Sequence, residues 1–319
     1  MPRPAFRGGV AQVRVPATSA NLGPGFDTLG LALGLFDDVM ARVADSGLAI
    51  DVAGEGEESV ALDESHLVVR AMRATFERLG GQPPGLELVC ANRIPHGRGL
   101  GSSSAAIVAG VLLARGLVLG GETTLTQLDA LQLASEIEGH PDNVAPCLLG
   151  GFTVAWTDGE QTDGEQTDGE QSVHALKLAV APEISPIVLI PPYESSTAQV
   201  RRLLPAQVPF SDAVFNSARS ALLVAALTGA TSSLLEATAD RLHQPYRAEA
   251  MAESAELVAA LREHGVPTVI SGAGPTVLAL ARNTAEFELV TSMQPAKWRC
   301  EHLPVHAEPA GLLRPSPGR

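Results

Sequence analysis

The stretch that decides the fold is residues 95–106, which read Pro95-His96-Gly97-Arg98-Gly99-Leu100-Gly101-Ser102-Ser103-Ser104-Ala105-Ala106. The apolar residues 107–113 that follow have the pattern of a buried helix. Three glycines in a short loop allow backbone N–H groups to converge, and we expect the serines to cap the first helical turn. The N-terminus of a helix carries about half a positive charge. We therefore predict that a phosphate binds where this loop enters the helix.

Two common nucleotide-binding motifs do not describe this loop. The Walker pattern needs a lysine at the end of the loop, but the first lysine of the chain is Lys177, which excludes a P-loop NTPase. The Rossmann fingerprint spaces its glycines differently and has no triple serine. A tight turn with an ordinary serine cap remains the alternative to a phosphate site. Hydroxyl groups here could also coordinate Mg²⁺, because hard cations prefer oxygen ligands.

The composition of the chain limits the remaining functions. The 319 residues are 45 % apolar and carry a net charge of -14, which predicts two domains and argues against an electrostatic grip on nucleic acid or an anionic membrane. The start of the chain has no apolar segment of a signal peptide, and no run reaches the roughly 18 apolar residues of a membrane span. We expect a soluble, cytoplasmic protein that binds neither nucleic acid nor membrane. The three cysteines predict neither a disulfide framework nor a zinc site.

An acidic repeat divides the chain. Residues 157–171 read TDGEQ three times without an apolar residue, which predicts a solvated loop insertion. Strand and helix patterns on both sides of it indicate an α+β fold, with an N-terminal domain at residues 1–171 and a C-terminal domain at residues 172–319. The predicted strands are residues 10–16, 36–43, 175–181, 187–191, 266–271 and 276–281, and the predicted helices are residues 64–79, 103–117, 124–139, 210–227 and 248–264.

Two other polar segments interrupt apolar sequence. The first, PATSANLGPGFD at residues 16–27, is rich in short hydrogen-bonding side chains and is either a binding loop or an ordinary turn. The second, EGHPDN at residues 138–143, ends a predicted helix. Helix termination explains Gly139 and Pro141, but it does not explain the four polar side chains before an apolar run. Taken alone, His140 would be interpreted as a structural histidine.

Four segments occur in order over residues 16–280, namely PATSANLGPGFD, PHGRGLGSSSAA, EGHPDNVAP and SGAGPTVLAL. Together they resemble the GHMP family of small-molecule kinases, and the first and third resemble its branch that phosphorylates homoserine. The resemblance implies a two-domain GHMP kinase fold, with a ribosomal protein S5 domain 2-like N-terminal domain and a ferredoxin-like C-terminal domain. It also implies ATP and Mg²⁺ as cofactors, and a homodimer. The implied reaction transfers the γ-phosphate of ATP to the side-chain hydroxyl of L-homoserine, giving O-phospho-L-homoserine on the way to threonine.

The resemblance also implies roles for individual residues. The ATP phosphates would lie on the loop of Pro95, His96, Gly97, Arg98, Gly99, Leu100, Gly101, Ser102, Ser103 and Ser104. Ser103 matches the Mg²⁺-coordinating hydroxyl, and Ser103 and Asn143 would be the catalytic residues. The positions that match substrate-binding residues are Asn21, Asp27, His140, Asn143, Thr197, Arg201, Arg247, Gly272 and Gly274.

Three of these charged residues bear on the choice of substrate. Arg201 or Arg247 could grip an α-carboxylate bidentately, and Asp27 would pair with the ammonium group. Without the resemblance, each arginine would be interpreted as a surface helix cation. Charges of both signs favour an amino acid over another small alcohol such as mevalonate.

Two positions depart from the pattern of the family. Several relatives have an aspartate base where this sequence has Asn143, and an amide cannot accept a proton at neutral pH. Catalysis would then rest on positioning, Mg²⁺ and the helix dipole, and the adjacent Asp142 is expected to point elsewhere.

The carboxylate that many relatives use for Mg²⁺ corresponds to Gln132, a poorer ligand. Glu136, one helical turn further on, or Glu138 could replace it, and Glu136 is preferred. Gln132 alone favours a third hypothesis, a catalytically silent nucleotide-binding regulator.

Overall fold

The computed structural model describes residues 4–158 and 172–313. Its strands are β1 (Val10–Ala20), β2 (Leu29–Ala44), β3 (Gly47–Gly54), β4 (Gly85–Asn92), β5 (Phe152–Asp158), β6 (Ser172–Leu178), β7 (Ser185–Ile190), β8 (Thr268–Ile270), β9 (Val277–Ala281), β10 (Arg299–His302) and β11 (Gly311–Leu312). Its helices are α1 (Leu67–Arg78), α2 (Ser102–Leu117), α3 (Gly121–Thr124), α4 (Gln127–Glu138), α5 (Pro141–Leu149), α6 (Thr197–Arg201), α7 (Phe210–Thr228), α8 (Leu234–Ala237), α9 (Gln244–Arg247), α10 (Ala252–Glu263) and α11 (Thr284–Ser292).

The first sheet supports the glycine-rich loop between β4 and α2. Its strand order is β11-β1-β2-β4-β3, and β5 and β6 extend it beside β2. β3 and β4 are parallel and joined through α1, whereas the other neighbours are antiparallel. Helix α2 is buried on nearly all sides. It crosses α1 closely at Gly110, where an added Cβ would lie 2.5 Å from the carbonyl oxygen of Val68.

A sharp break between α4 and α5 positions the polar residues of the EGHPDN segment. Helix α4 begins with a capping box between Thr126 and Asp129 and ends at Gly139, which has a left-handed backbone conformation. The predicted stop at Gly139 is confirmed. Pro141, however, also occupies the first turn of α5, where a proline without an N–H is favourable. His140 is therefore the extended residue between two helices.

The second sheet has the order β10-β7-β9-β8, with antiparallel neighbours throughout. Numbered along the chain, its strands lie in the order 4-1-3-2. Helices separate the first strand from the second and the third from the fourth, so the ferredoxin-like arrangement is confirmed. The predicted hairpin of β8 and β9 is also confirmed, and Gly272 and Gly274 lie in its connecting turn.

The acidic repeat interrupts a hairpin of the first sheet. β6 pairs with β5, and Asp158 lies opposite Ser172. The solvated loop was predicted for residues 157–171, but Thr157 and Asp158 belong to β5 and pair with β6, so the prediction was wrong for these two residues. Residues 159–171 lie outside the described residues. The chain passes from the first sheet to the second between Leu178 and Ser185, and β11 later returns to β1. The division into residues 1–171 and 172–319 stays a prediction. No helix in the described ranges is long and apolar enough to cross a bilayer.

We predict that residues 159–171 can be replaced by the turn Asn-Gly without loss of stability. β5 and β6 already meet at Asp158 and Ser172, and a shorter loop costs less closure entropy. The free energy of unfolding, measured by urea titration, should stay equal or rise by up to about 2 kcal/mol. A fall of similar size would show that the repeat stabilises the fold.

Candidate active site

The glycine-rich loop has its carbonyl oxygens bonded to protein and its amides unbonded. Four carbonyl oxygens of the loop accept hydrogen bonds. Ser195 N donates to Gly97 O at 2.8 Å, and Thr276 N donates to Arg98 O at 3.3 Å. Ser271 Oγ donates to Gly99 O at 2.6 Å, and Thr18 N donates to Leu100 O at 3.0 Å. Within the described residues, no acceptor bonds the N–H groups of residues 97–104. The loop therefore presents hydrogen-bond donors, which is the arrangement that binds an anion.

Glycine is required at alternate positions of this loop. Gly97, Gly99 and Gly101 have φ angles of 63°, 73° and 70°, and such alternation turns successive N–H groups toward one concave side. Space is also missing for a side chain. An added Cβ would lie 2.2 Å from Ser271 O at Gly99 and 1.9 Å from Thr18 Oγ1 at Gly101. The sequence prediction of a phosphate cradle thus has a physical basis in this backbone.

The serines at the start of α2 do not cap the helix, so that expectation was wrong. Gly101 is the capping residue and provides no side-chain bond. Ser103 and Ser104 lie inside the first turn, and their hydroxyls donate to Glu138 Oε1 at 2.6 and 2.7 Å. The amides of the first turn therefore remain available, and one carboxylate with two hydroxyls is placed beside them.

The structure does not place Glu136 at the loop. Its carboxylate accepts hydrogen bonds from Arg78 at 2.8 Å and from Gln132 Nε2 at 2.9 Å. The helical spacing that favoured Glu136 could not reveal this arginine, which comes from α1. Glu138, the last residue of α4, reaches α2 instead. Glu138 is therefore the carboxylate that lies beside the serines of α2, and a metal-binding role for Glu136 stays a prediction.

Few metal ligands are gathered in this site. Within residues 4–158 and 172–313, no three His, Cys, Asp or Glu side chains form a group that could hold a metal ion. Glu138 with Ser103 and Ser104 nevertheless provides hard oxygen ligands. Such a set fits Mg²⁺, which usually takes its remaining ligands from phosphates and water.

Asn143 lies close to the start of α2. Its Oδ1 accepts a hydrogen bond from Thr18 Oγ1 at 2.7 Å, and an added Cβ at Gly101 would lie 3.2 Å from the same oxygen. Because Oδ1 is bonded, the amide nitrogen of Asn143 is the group that can donate to a ligand. Thr18 lies in the polar segment of residues 16–27, and nothing in the local sequence distinguishes it from its neighbours.

Asn21 shapes the loop of residues 21–27. It has a left-handed φ of 66°, and its side chain donates to Gly272 O at 2.9 Å and accepts from Asp27 N at 3.0 Å. Second-domain groups also bond the loop carbonyls, since His243 contacts Gly23 O at 2.7 Å. A substrate-binding role for Asn21 stays a prediction, whereas its bonds give it a role in closing the loop.

A cluster of one anion and two cations surrounds Phe26. Asp27 forms an ion pair with Arg201, whose Nη1 lies 3.2 Å from Asp27 Oδ1. The guanidinium carbons of Arg201 and Arg247 lie 5.4 and 5.3 Å from the centroid of the Phe26 ring. Arg247 is only 3 % exposed, so its interpretation as a surface cation fails. Burial lowers the pKa of Arg247, and the negative charge of Asp27 opposes that shift.

His140 and Asp142 form a second charged pair. His140 Nδ1 lies 2.6 Å from Asp142 Oδ1, and Asp142 is 2 % exposed. Asp142 therefore turns back onto His140 rather than away from the site. Burial alone would lower the pKa of His140, but the bond to Asp142 and the charges of Asp142, Glu138 and Asp27 raise it to about 9. His140 is consequently an imidazolium at neutral pH.

The remaining predicted site residues differ in what they contact. The Arg98 guanidinium donates to His96 O at 2.8 Å and to Pro191 O and Glu194 Oε1 at 3.2 Å, so it ties the loop to the second domain. Gly274 O would lie 2.9 Å from a Cβ added at Gly99, which places the β8–β9 turn against the glycine-rich loop. Thr197 is exposed at the start of α6.

A cavity of about 320 Å³ opens beside the loop. Its polar lining includes Asp37, His66, Asn92, His96 and Ser103, and its remaining walls are mostly apolar. The Nδ1 atom of His66 is buried and has no partner among the described residues. A cavity with apolar walls and a few polar atoms has the character of a site for a small organic ligand.

Known proteins of one family resemble this chain along its length. The family model for the GHMP kinases N terminal domain matches residues 66–151, and the model for GHMP kinases C terminal matches residues 218–299. Homoserine kinase of Streptomyces avermitilis is 55 % identical over 313 residues, which cover 98 % of this chain and 99 % of that protein. Homoserine kinase of Streptomyces coelicolor is also 55 % identical, with 98 % and 97 % covered. A crystal structure of homoserine kinase from Cytophaga hutchinsonii has a TM-score of 0.79 at 27 % identity and covers 97 % of this chain and 99 % of that chain.

We predict that His140 stays protonated at pH 7.5 and titrates near pH 9, as measured by NMR of its ring. In Asp142→Asn the pKa should fall well below that of the wild type, because burial is then opposed only by the weaker effects of Glu138 and Asp27. Since pairing raises the folded pKa, its stabilising effect is complete below pH 6.5 and is lost as the pH rises through about 9. A ring that titrates near 6.5 in both proteins would contradict the pairing.

Proposed function

Because the chain belongs to the GHMP kinase family, we propose that it transfers the γ-phosphate of ATP to the side-chain hydroxyl of L-homoserine. It is a kinase, and its product is O-phospho-L-homoserine, an intermediate on the way to threonine. The relatives point to the substrate, and the site explains how both reactants are held. Location in the cytoplasm and assembly as a homodimer stay predictions.

One observation carries the nucleotide part of the proposal. The loop of residues 97–104 has bonded carbonyls and unbonded amides at the N-terminus of a buried helix. The ATP phosphates bind these amides, which compensates for the missing lysine. The nucleoside occupies the adjoining cavity, where His66 Nδ1 offers a buried polar atom. Pro95 to Ser104 thereby form the nucleotide site, with Arg98 contributing its backbone.

Glu138, Ser103 and Ser104 are the residues that would hold Mg²⁺. When bound, the ion would neutralise negative charge on the β- and γ-phosphates. Glu138 also belongs to the charges that keep His140 protonated. The carboxylate thus connects the metal position with the substrate side of the site.

The charged cluster binds the two ends of the amino acid. Arg201 and Arg247 hold the α-carboxylate, and Asp27 holds the ammonium group. Thr197 precedes Arg201 by one helical turn and lies on the same face of α6. A substrate with charges of both signs matches this cluster better than an alcohol with one charge.

The chemical step relies on positive charge and hydrogen-bond donors. His140 is protonated and cannot accept the hydroxyl proton, and Asn143 presents its amide nitrogen. Both groups stabilise negative charge on the transferring phosphoryl group. A loose transition state makes little demand on a general base, so the hydroxyl proton passes to an oxygen of the transferred phosphoryl group as the new O–P bond forms, and ADP leaves. Asp142 keeps His140 in its charged form.

The proposal is tested with purified protein, ATP and Mg²⁺ in a coupled assay for ADP. L-homoserine should give turnover, and ³¹P NMR should show a phosphate monoester on its side chain. Mevalonate should give no turnover above background. Absence of turnover with homoserine would overturn the proposal, and would leave a nucleotide-binding regulator if ATP still binds.

We predict that Glu138→Gln lowers kcat by about 100-fold or more, because it weakens the metal position next to the phosphates. Glu136→Gln is the matched control, with the same chemistry two residues away but a partner in Arg78. Its kcat should stay within about two-fold, since exposed ion pairs contribute little. Titration of Mg²⁺ should show a raised requirement in Glu138→Gln alone. Equal losses in both variants would argue against the assignment of Glu138.

A further inference from the structure

His243 is a fully buried histidine with both ring nitrogens in contact with polar groups. Its Nε2 lies 2.7 Å from Gly23 O and 3.5 Å from Asp240 Oδ2. Its Nδ1 lies 3.3 Å from Nη1 of Arg247. The ring also packs on Phe26, with centroids 5.1 Å apart. The proposed reaction assigns no role to this residue.

The neighbours of the ring determine where its proton lies. Nε2 faces two oxygen acceptors, so it carries the hydrogen and donates to Gly23 O. Nδ1 faces an N–H donor of Arg247 and must therefore be the unprotonated acceptor. Burial lowers the pKa of His243; the charge of Asp240 opposes this shift, the charge of Arg247 supports it, and Asp27 opposes it weakly. The hydrogen-bond geometry and the burial of the ring both favour its neutral form.

Among the described residues, the bond from Nη1 to His243 leaves Nε and Nη2 of the buried Arg247 guanidinium without a hydrogen-bond partner. Within the described ranges it is the single hydrogen bond of this guanidinium, and the buried Nε has no partner. Nε and Nη2 form the side edge, which can bind both oxygens of a carboxylate. The backbone of α9 fixes the pair, because Arg247 N also donates to His243 O at 3.2 Å.

We propose that His243 is a positioning residue that holds Nη1 of Arg247 so that its Nε–Nη2 edge faces the α-carboxylate of the substrate. This inference rests on the proposed function. His243 also connects Arg247 to Gly23 and Phe26, on the loop that ends at Asp27. The two anchors of the amino acid are thereby fixed relative to each other through one neutral ring.

The test compares two amide substitutions that each preserve one half of the contact. His243→Asn keeps an acceptor near the position of Nδ1 and loses the donor to Gly23. His243→Gln keeps a donor near the position of Nε2 and loses the acceptor for Arg247. We expect KM for homoserine to rise about ten-fold or more in His243→Gln and to stay within about three-fold in His243→Asn. KM for ATP should change less than about two-fold in both, and thermal unfolding reports any common structural effect.

Two kinetic outcomes would overturn the inference. Equal changes of KM for homoserine in both variants would assign His243 a structural role alone. A joint change of KM for ATP and homoserine would show a general disturbance of the site. If the wild type does not phosphorylate homoserine, the proposed function fails instead, and the arrangement of His243 is decided separately.

The contact between His243 and Arg247 is tested by ¹⁵N NMR of the full chain, which needs no substrate. His243 should be the neutral Nε2–H form at pH 7.5, and Arg247→Ala should shift the Nδ1 resonance, because Nδ1 loses its donor. A ring that titrates near 6.5, that carries its proton on Nδ1, or whose Nδ1 resonance is unaffected by Arg247→Ala would contradict the positioning contact.

Discussion

The carbonyl oxygens of the glycine-rich loop determine which face of its backbone a ligand meets. Thr18 bonds one of them from the first domain, and Ser195, Ser271 and Thr276 bond the others from the second. The loop cannot present carbonyls to an anion without breaking contacts with both domains. Its amides are thus oriented toward the ligand before it arrives. An acidic chain with few lysines can hold a triphosphate in this way, because local donors outweigh the repulsion of distant charges.

The same contacts couple the substrate side of the site to the packing of the domains. The loop of residues 21–27 starts from a strand of the first sheet, but Gly272 and His243 of the second domain hold it. Because the chain turns sharply at Gly139 and His140, Glu138 accepts a hydrogen bond from Ser103, and Asp142 contacts His140. Charged side chains therefore extend from Glu138 through His140 and Asp142 to the ion pair of Asp27 with Arg201.

Local signals in the sequence identified much of this arrangement. The glycine spacing indicated the phosphate cradle, and helix periodicity predicted α1, α2, α4, α7 and α10 with errors of a few residues at their ends. Helix α5 was missed because Pro141 ends one helix and begins another. Contacts between residues that are distant in sequence could not be predicted from local patterns. Arg78 forms an ion pair with Glu136, Asp142 contacts His140, and Arg247 is buried. Nothing in its local sequence marks His243, whose role depends on Gly23, some 220 residues earlier.

Amide hydrogen exchange shows whether the loop of residues 97–104 offers free N–H groups to a nucleotide. Without nucleotide, the N–H groups of residues 97–104 should exchange rapidly, because they have no acceptor. With Mg²⁺ and a non-hydrolysable ATP analogue, the same amides should become protected, while the exposed amides of α11 stay unchanged. Protection that is already present without nucleotide, or that does not increase when it binds, would contradict the account.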